Sequence, residues 1–101
     1  MSRPRKERRE LQREAVKDAK RRLAVASRER GGAPEIPRVV SSASVIEPIA
    51  RSTPCVVCGA EVQVVSHDAK SIAGSPLRVV HVKCRMCGVA RTTYFQVGAP
   101  N

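Results

Sequence analysis

The sequence contains no tryptophan and only one tyrosine and one phenylalanine, so aromatics make up 2% of its 101 residues. That scarcity excludes an aromatic-filled core. What remains to bury is mostly Val and Ala, and so short a domain built from them is marginal without a staple. No apolar run approaches the roughly 20 residues a membrane-spanning helix needs. The Arg-rich N-terminus lacks the apolar stretch of a secretory signal, and Glu7, Glu10, Glu14, Asp18 and Glu29 speak against a mitochondrial transit peptide. Nor is there a nucleophile elbow, a Gly-rich phosphate cradle or an H-N-H-type nuclease pattern. The chain is also too short for a multidomain enzyme, so no enzymatic activity and no small-molecule substrate are expected. The expected location is the cytoplasm, free or associated with nucleoid or ribosome, where thiols stay reduced.

Acidic residues are outnumbered as well: 9 Asp and Glu face 19 Lys and Arg, a net charge of +10. The excess is uneven. Residues 1–30 carry +7, residues 31–52 are neutral and residues 53–101 carry +3. Such a basic chain points to a polyanionic partner.

The basic segment has helical periodicity. Leu11, Ala15, Val16, Ala19, Leu23 and Ala26 fall within about 140° of one another on a helical projection. Pro4 suits a first turn, and Gly31-Gly32 followed by Pro34 is a stop signal. A helix over residues 5–29 would be about 37 Å long. Glu10 and Arg13, Glu14 and Lys17, and Asp18 and Arg22 stand at helical pair spacings. Only Leu11, Val16 and Leu23 are large in the apolar stripe, so the arm is expected to be helical or partly disordered until it meets a partner. Residues 31–52, with Pro34, Pro37, Pro48 and the Ser41–Ser44 run, read as a flexible linker in which Arg38–Val40 and Val45-Ile46 are free to pair but need not.

Residues 53–101 read as short strands around four cysteines. Glu61–Val64 alternates, Leu77–Lys83 is β-branched, and Thr92–Val97 is a third strand candidate, with a polar loop at Ser66–Ser71. The cysteines form Cys55-Val56-Val57-Cys58-Gly59 and Cys84-Arg85-Met86-Cys87-Gly88, separated by residues 59–83. A two-residue gap lets both thiolates of a turn face one ion, and the following Gly keeps the turn's amides near sulfur. Two such turns supply the tetrahedral four-sulfur shell that zinc prefers. Four thiolates leave no open coordination position, so the ion, one structural Zn2+, has no catalytic role. The competing readings are two disulfides, buried free thiols, or the iron site of a rubredoxin-like electron carrier.

On Cys55, Cys58, Gly59, Cys84, Cys87 and Gly88, with a strand after each knuckle, residues 53–97 resemble the zinc-ribbon family. Pro54 precedes the first knuckle, where many members place a proline between the two cysteines. The resemblance implies a small antiparallel sheet gripping one zinc, and a class common among nucleic-acid-handling proteins. The expected fold is therefore small α+β: a basic N-terminal helix, a flexible linker and a C-terminal three-stranded antiparallel zinc ribbon.

Candidate nucleic-acid contacts, to DNA or RNA, are Arg5, Lys6, Arg8, Arg9, Arg13, Lys17, Lys20, Arg21 and Arg22 on the arm. On the ribbon they are Arg78, Lys83, Arg85 and Arg91, read as a group at the second knuckle. These ribbon cations either offset the charge of the metal–thiolate site or face phosphate beside Tyr94 or Phe95. Phe95 alternates with Thr93 and Val97 and reads as core. His67 and His81 read as solvated or satisfied side chains. With so few aromatics, backbone and shape contacts are expected over base readout. The alternative is an adaptor: the Leu11/Ala15/Ala19/Leu23 stripe or the ribbon docks on a larger transcription, translation or phage assembly, or on a ribonucleoprotein.

Overall fold

The computed structural model describes residues 5–98; the expected role of Pro4 lies outside them, as does the side chain of Arg5. Helix α1 spans Arg5–Ser27, strand β1 Arg38–Val40, helix α2 Ile46–Ser52, β2 Val62–Ile72, β3 Ser75–Cys84 and β4 Ala90–Val97. The strands form one sheet in the order β1-β4-β3-β2, with β2, β3 and β4 antiparallel and β1 parallel to β4. The sheet is thus four-stranded and mixed, where three antiparallel strands were expected. The fourth strand pairs Arg38 with Phe95, a partnership between distant segments that no local pattern announces.

The long apolar run of β3 has a structural reason. Val80, Val82 and Cys84 point to the face that α2 covers, where they meet Val62, Phe95, Ile46 and Ala50 in the core. Leu77 and Val79 point to the opposite face and are buried too. There Pro34 and Pro37 line the same depression as Leu77 and Gln96. A strand buried on both faces loses the polar half of its alternation.

Strand β2 runs straight through Ser66–Ser71, which had the polarity of a loop. It is an edge strand whose residues 68–71 are all exposed, so polar side chains cost nothing there. A bulge between Val64 and Ser66 shifts the register mid-strand. The hairpin turns at Ala73-Gly74, with φ of 50° and 80°, the left-handed pair that a two-residue turn favours.

The segment expected to be a linker carries structure. Val40, Ile46 and Ala50 all enter the core. Its prolines fall where they do no harm: Pro37 just precedes β1, and Pro48 occupies the first turn of α2, whose amides need no intrahelical acceptor. Ser42 caps the 3-10 turn Ala43–Val45, its Oγ accepting from the Ser44 amide at 3.1 Å.

Helix α1 ends two residues earlier than expected and stands largely apart from the sheet, which stretches the molecule to 62 × 23 × 19 Å. Only its C-terminal end is attached. Arg22 Nη1 donates to the Val57 carbonyl at 2.6 Å, and Arg91 Nη2 donates to the Ala26 carbonyl at 3.4 Å. Of the apolar stripe, Ala26 is buried and Leu23 half-buried, while Leu11 and Val16 are exposed. The chain then doubles back so tightly that a Cβ on Gly32 would collide with the Ala26 carbonyl oxygen. The Gly31 carbonyl accepts from the Tyr94 amide at 2.7 Å, extending the β1–β4 pairing. No described helix is long and apolar enough to cross a membrane.

Candidate metal centre

Both cysteine turns have the same backbone wiring. The Cys55 amide donates to the Ala60 carbonyl and the Cys84 amide to the Val89 carbonyl, each at 2.9 Å. The Gly59 amide returns to the Cys55 carbonyl at 2.8 Å and the Gly88 amide to the Cys84 carbonyl at 3.2 Å. Closing such a turn needs a left-handed residue, and Gly59 and Gly88 supply φ of 77° and 75°. The Arg85 amide donates to the Glu61 carbonyl at 3.2 Å, tying one knuckle to the other.

This wiring aims four sulfurs at one point. All four Sγ atoms lie within 4.8 Å of one another, with Cys55 and Cys87 3.6 Å apart and Cys58 and Cys84 3.4 Å apart. A metal about 2.3 Å from each sulfur of a tetrahedron requires sulfur separations of roughly 3.8 Å. The cluster is therefore sized for one four-coordinate ion. Cys55 and Cys84 face the core and are buried; Cys58 and Cys87 are exposed. All four are free thiols, not disulfides.

The backbone prepares the thiols to ionise. The amides of Cys87 and Met86 both point at Cys84 Sγ, at 3.4 Å. The Cys87 amide, assisted by Met86 and outweighing desolvation, lowers the Cys84 thiol to about 6. Desolvation opposes ionisation of Cys55, yet the amides of Cys58 and Val57 bring it below the ordinary thiol value. At Cys87 the Val89 amide favours the thiolate, but desolvation and the crowding of Cys84, Cys55 and Cys58 push it up to about 12. Once one sulfur is charged, its neighbours resist charging, and a bound cation reverses that penalty for all four.

Neither histidine belongs to the thiol cluster, and His67 is not fully satisfied, because its Nε2 is buried without a hydrogen-bond partner among the described residues. His67 Nδ1 lies 3.5 Å from a Glu47 carboxylate oxygen, and His81 Nδ1 lies 2.9 Å from the Thr92 hydroxyl. Phe95 is core, as expected.

The basic residues sort into two sets. Lys6, Arg9, Arg13, Lys17 and Lys20 follow one another at spacings of three and four, which places them along one face of α1. Arg9, Arg13, Lys17 and Lys20 flank a common depression with Gln12 and Val16. Glu7, Glu10, Glu14 and Asp18 form a parallel row about 100° around the helix. The segregation leaves Asp18–Arg22, at 3.0 Å, as the one Lys/Arg–carboxylate pair among the described residues; the Glu10–Arg13 and Glu14–Lys17 spacings are not used. Arg8 and Arg21 are exposed away from the basic row, and Arg22 is engaged at the first knuckle. The cations of the sheet and second knuckle, expected as a group, are dispersed. Arg78 and Arg91 lie on the core-facing side of the sheet, beside Phe95 and Val82 respectively, while Lys83 lies on the other face and Arg85 on the second knuckle.

Sequence reading did not single out Arg38, whose position beside Phe95 depends on the β1–β4 pairing. It also missed the backbone amides of Val57 and Met86, which carry no residue-specific signal. No protein-family model, curated protein or solved structure matches this chain.

Proposed function

We propose that the protein is a non-enzymatic, zinc-stabilised nucleic-acid-binding protein of the cytoplasm. In this reading one Zn2+ sits among Cys55, Cys58, Cys84 and Cys87 and holds the sheet, while α1 carries the phosphate contacts. A filled d10 shell imposes no geometry of its own, so zinc accepts the tetrahedron these turns offer. Its binding free energy, about 10–16 kcal/mol in small structural sites, is of the size a core this small requires.

The observation that carries the nucleic-acid reading is the row Lys6, Arg9, Arg13, Lys17 and Lys20. It runs about 21 Å along a helix whose acids occupy a separate face. Uncompensated cations in a line suit a phosphate backbone. The adjoining acidic row keeps α1 from sinking between two backbones, so it lies along one. Affinity should then fall with salt at a log–log slope near −4.5 on duplex, about 0.9 for each of five contacts. Anisotropy of a labelled oligonucleotide against the zinc-loaded protein over a salt titration tests this. A steep slope supports the reading, and absence of binding at low salt overturns it.

The exposed Leu11 and Val16 favour a second reading, an adaptor that docks α1 on a protein partner. Such binding would persist at high salt and be abolished by Leu11→Glu.

A further inference from the structure

Helix α2 lies over β2 and β3 and leaves the core-facing side of β4 and β1 partly open. What remains is a cleft of about 150 Å³. Its floor is Val82, Thr93 and Phe95; one wall is the end of α2 with Ile49 and Thr53. The other wall is the turn Glu29–Gly31 that leads out of α1, and the first knuckle closes the end at Cys55. A space of this size takes a single six-membered ring, here over an apolar floor with a polar rim.

Its charge is unbalanced. Arg30, Arg38 and Arg91 line the cleft, and Glu29 is the one carboxylate among its lining residues. Arg91 is half-buried, yet neither it nor Arg38 pairs with a described carboxylate. Among the described residues Arg91 keeps only the long bond to the Ala26 carbonyl. A partly desolvated guanidinium with no carboxylate partner favours an incoming anion even beside the thiol cluster that closes the cleft at Cys55, and its planar fork matches phosphate oxygens. Arg91, Thr93 and Phe95 alternate along one face of β4, and Arg38 stands beside Phe95. The two guanidinium-bearing positions are therefore separated by about 13 Å of strand, with the ring-sized slot between them.

We infer that this cleft receives one unpaired pyrimidine base of a single-stranded nucleic acid, with the phosphates on either side of that nucleotide held by Arg38 and Arg91. The inference rests on the nucleic-acid reading and adds a preference that α1 alone cannot give. A helix lying on one backbone has no reason to prefer single strand, whose lower charge density releases fewer counterions per contact, whereas a slot for a base admits only a base already out of its pair. Each base held against a protein surface typically changes affinity about 5- to 150-fold.

The test compares the zinc-loaded full chain with two variants. Arg38→Gln/Arg91→Gln removes the charges, and Thr53→Trp hangs a ring over the cleft mouth from an exposed position, at the loss of the hydroxyl's bond to the Ile49 carbonyl. The probes are dT15, a dT15·dA15 duplex, and UMP titrated into the 15N-labelled protein. The expected result is at least tenfold tighter binding of dT15 than duplex. Both variants should lose that preference while keeping duplex affinity and its salt slope. UMP should shift the amides of Arg38, Thr53 and Thr93. Equal affinity for the two probes in the wild type, or a preference that survives both variants, overturns the cleft. If neither oligonucleotide binds at low salt, the reading of α1 fails separately. UMP shifts confined to the cleft then uphold it, and their absence removes it too.

Discussion

Helix α1 and the four-stranded sheet carry almost opposite physics on one short chain. The helix is exposed along most of its length, and Leu11 and Val16 face water at 43% and 55% exposure. The sheet completely buries Val80 and Ile46 and brings four distant thiols together. Stability in the first comes from hydrogen bonds within one segment. In the second it comes from pairings between remote segments that only close around the knuckles. The difference teaches that charge can be varied freely on the helix and hardly at all in the sheet, so the helix surface can be rewritten without touching the fold.

The sharpest attempt to break that division is at the metal. Cys84→Ser, or chelation of the wild type, is expected to abolish amide dispersion over residues 38–97, a loss on the order of the 10 kcal/mol that structural zinc contributes. A dispersed spectrum in the presence of chelator would show the ion to be dispensable. Next in size, Ile46→Ala should cost about 2–5 kcal/mol, because it empties a fully buried position where α2 meets the sheet. Thermal unfolding of the metal-loaded protein measures it, and a loss below 1 kcal/mol would mean that α2 is not part of the cooperative unit.

On the other side of the comparison, Arg9→Glu/Arg13→Glu/Lys17→Glu should leave the midpoint of thermal unfolding in place. The salt slope on duplex should flatten by about 2.7, three contacts at 0.9 each. A fall in thermal stability instead would show the arm and the sheet to be one unit. The smallest effect is expected from Arg22→Ala. It removes the bonds to the Val57 carbonyl and to Asp18 and should cost about 0.5–1.5 kcal/mol. Hydrogen exchange should quicken in residues 22–27 alone. Faster exchange in β3 would reveal that α1 supports the sheet.

The same contrast decides what could be read from the sequence. Elements set by local pattern were legible: α1 from its periodicity and glycine stop, β3 and β4 from their β-branched runs, and the thiol cluster from its paired spacing. Three features were not. β1 is three residues whose partner lies far along the chain, and no periodicity can show in so short a run. The outer half of β2 is polar because it is an edge, a property of position in the sheet rather than of the residues. α2 begins with a proline in its first turn, where that residue is harmless but looks like a break. The basic row was present as spacing throughout. Its significance emerged only when the interleaved acids proved to form a row of their own.

The pairing of Arg38 with Phe95 has a consequence for the order of events at the ribosome. Synthesis is vectorial, so α1 leaves the ribosome before the strands of the sheet can pair. The first cysteine pair must wait for Cys84 and Cys87, and β1 must wait for a strand 57 residues further on. Such long loops close slowly. During that interval the nascent protein is a charged tether with an open thiol pair. The sheet and the four-thiol cluster are then completed together, after the arm has already formed.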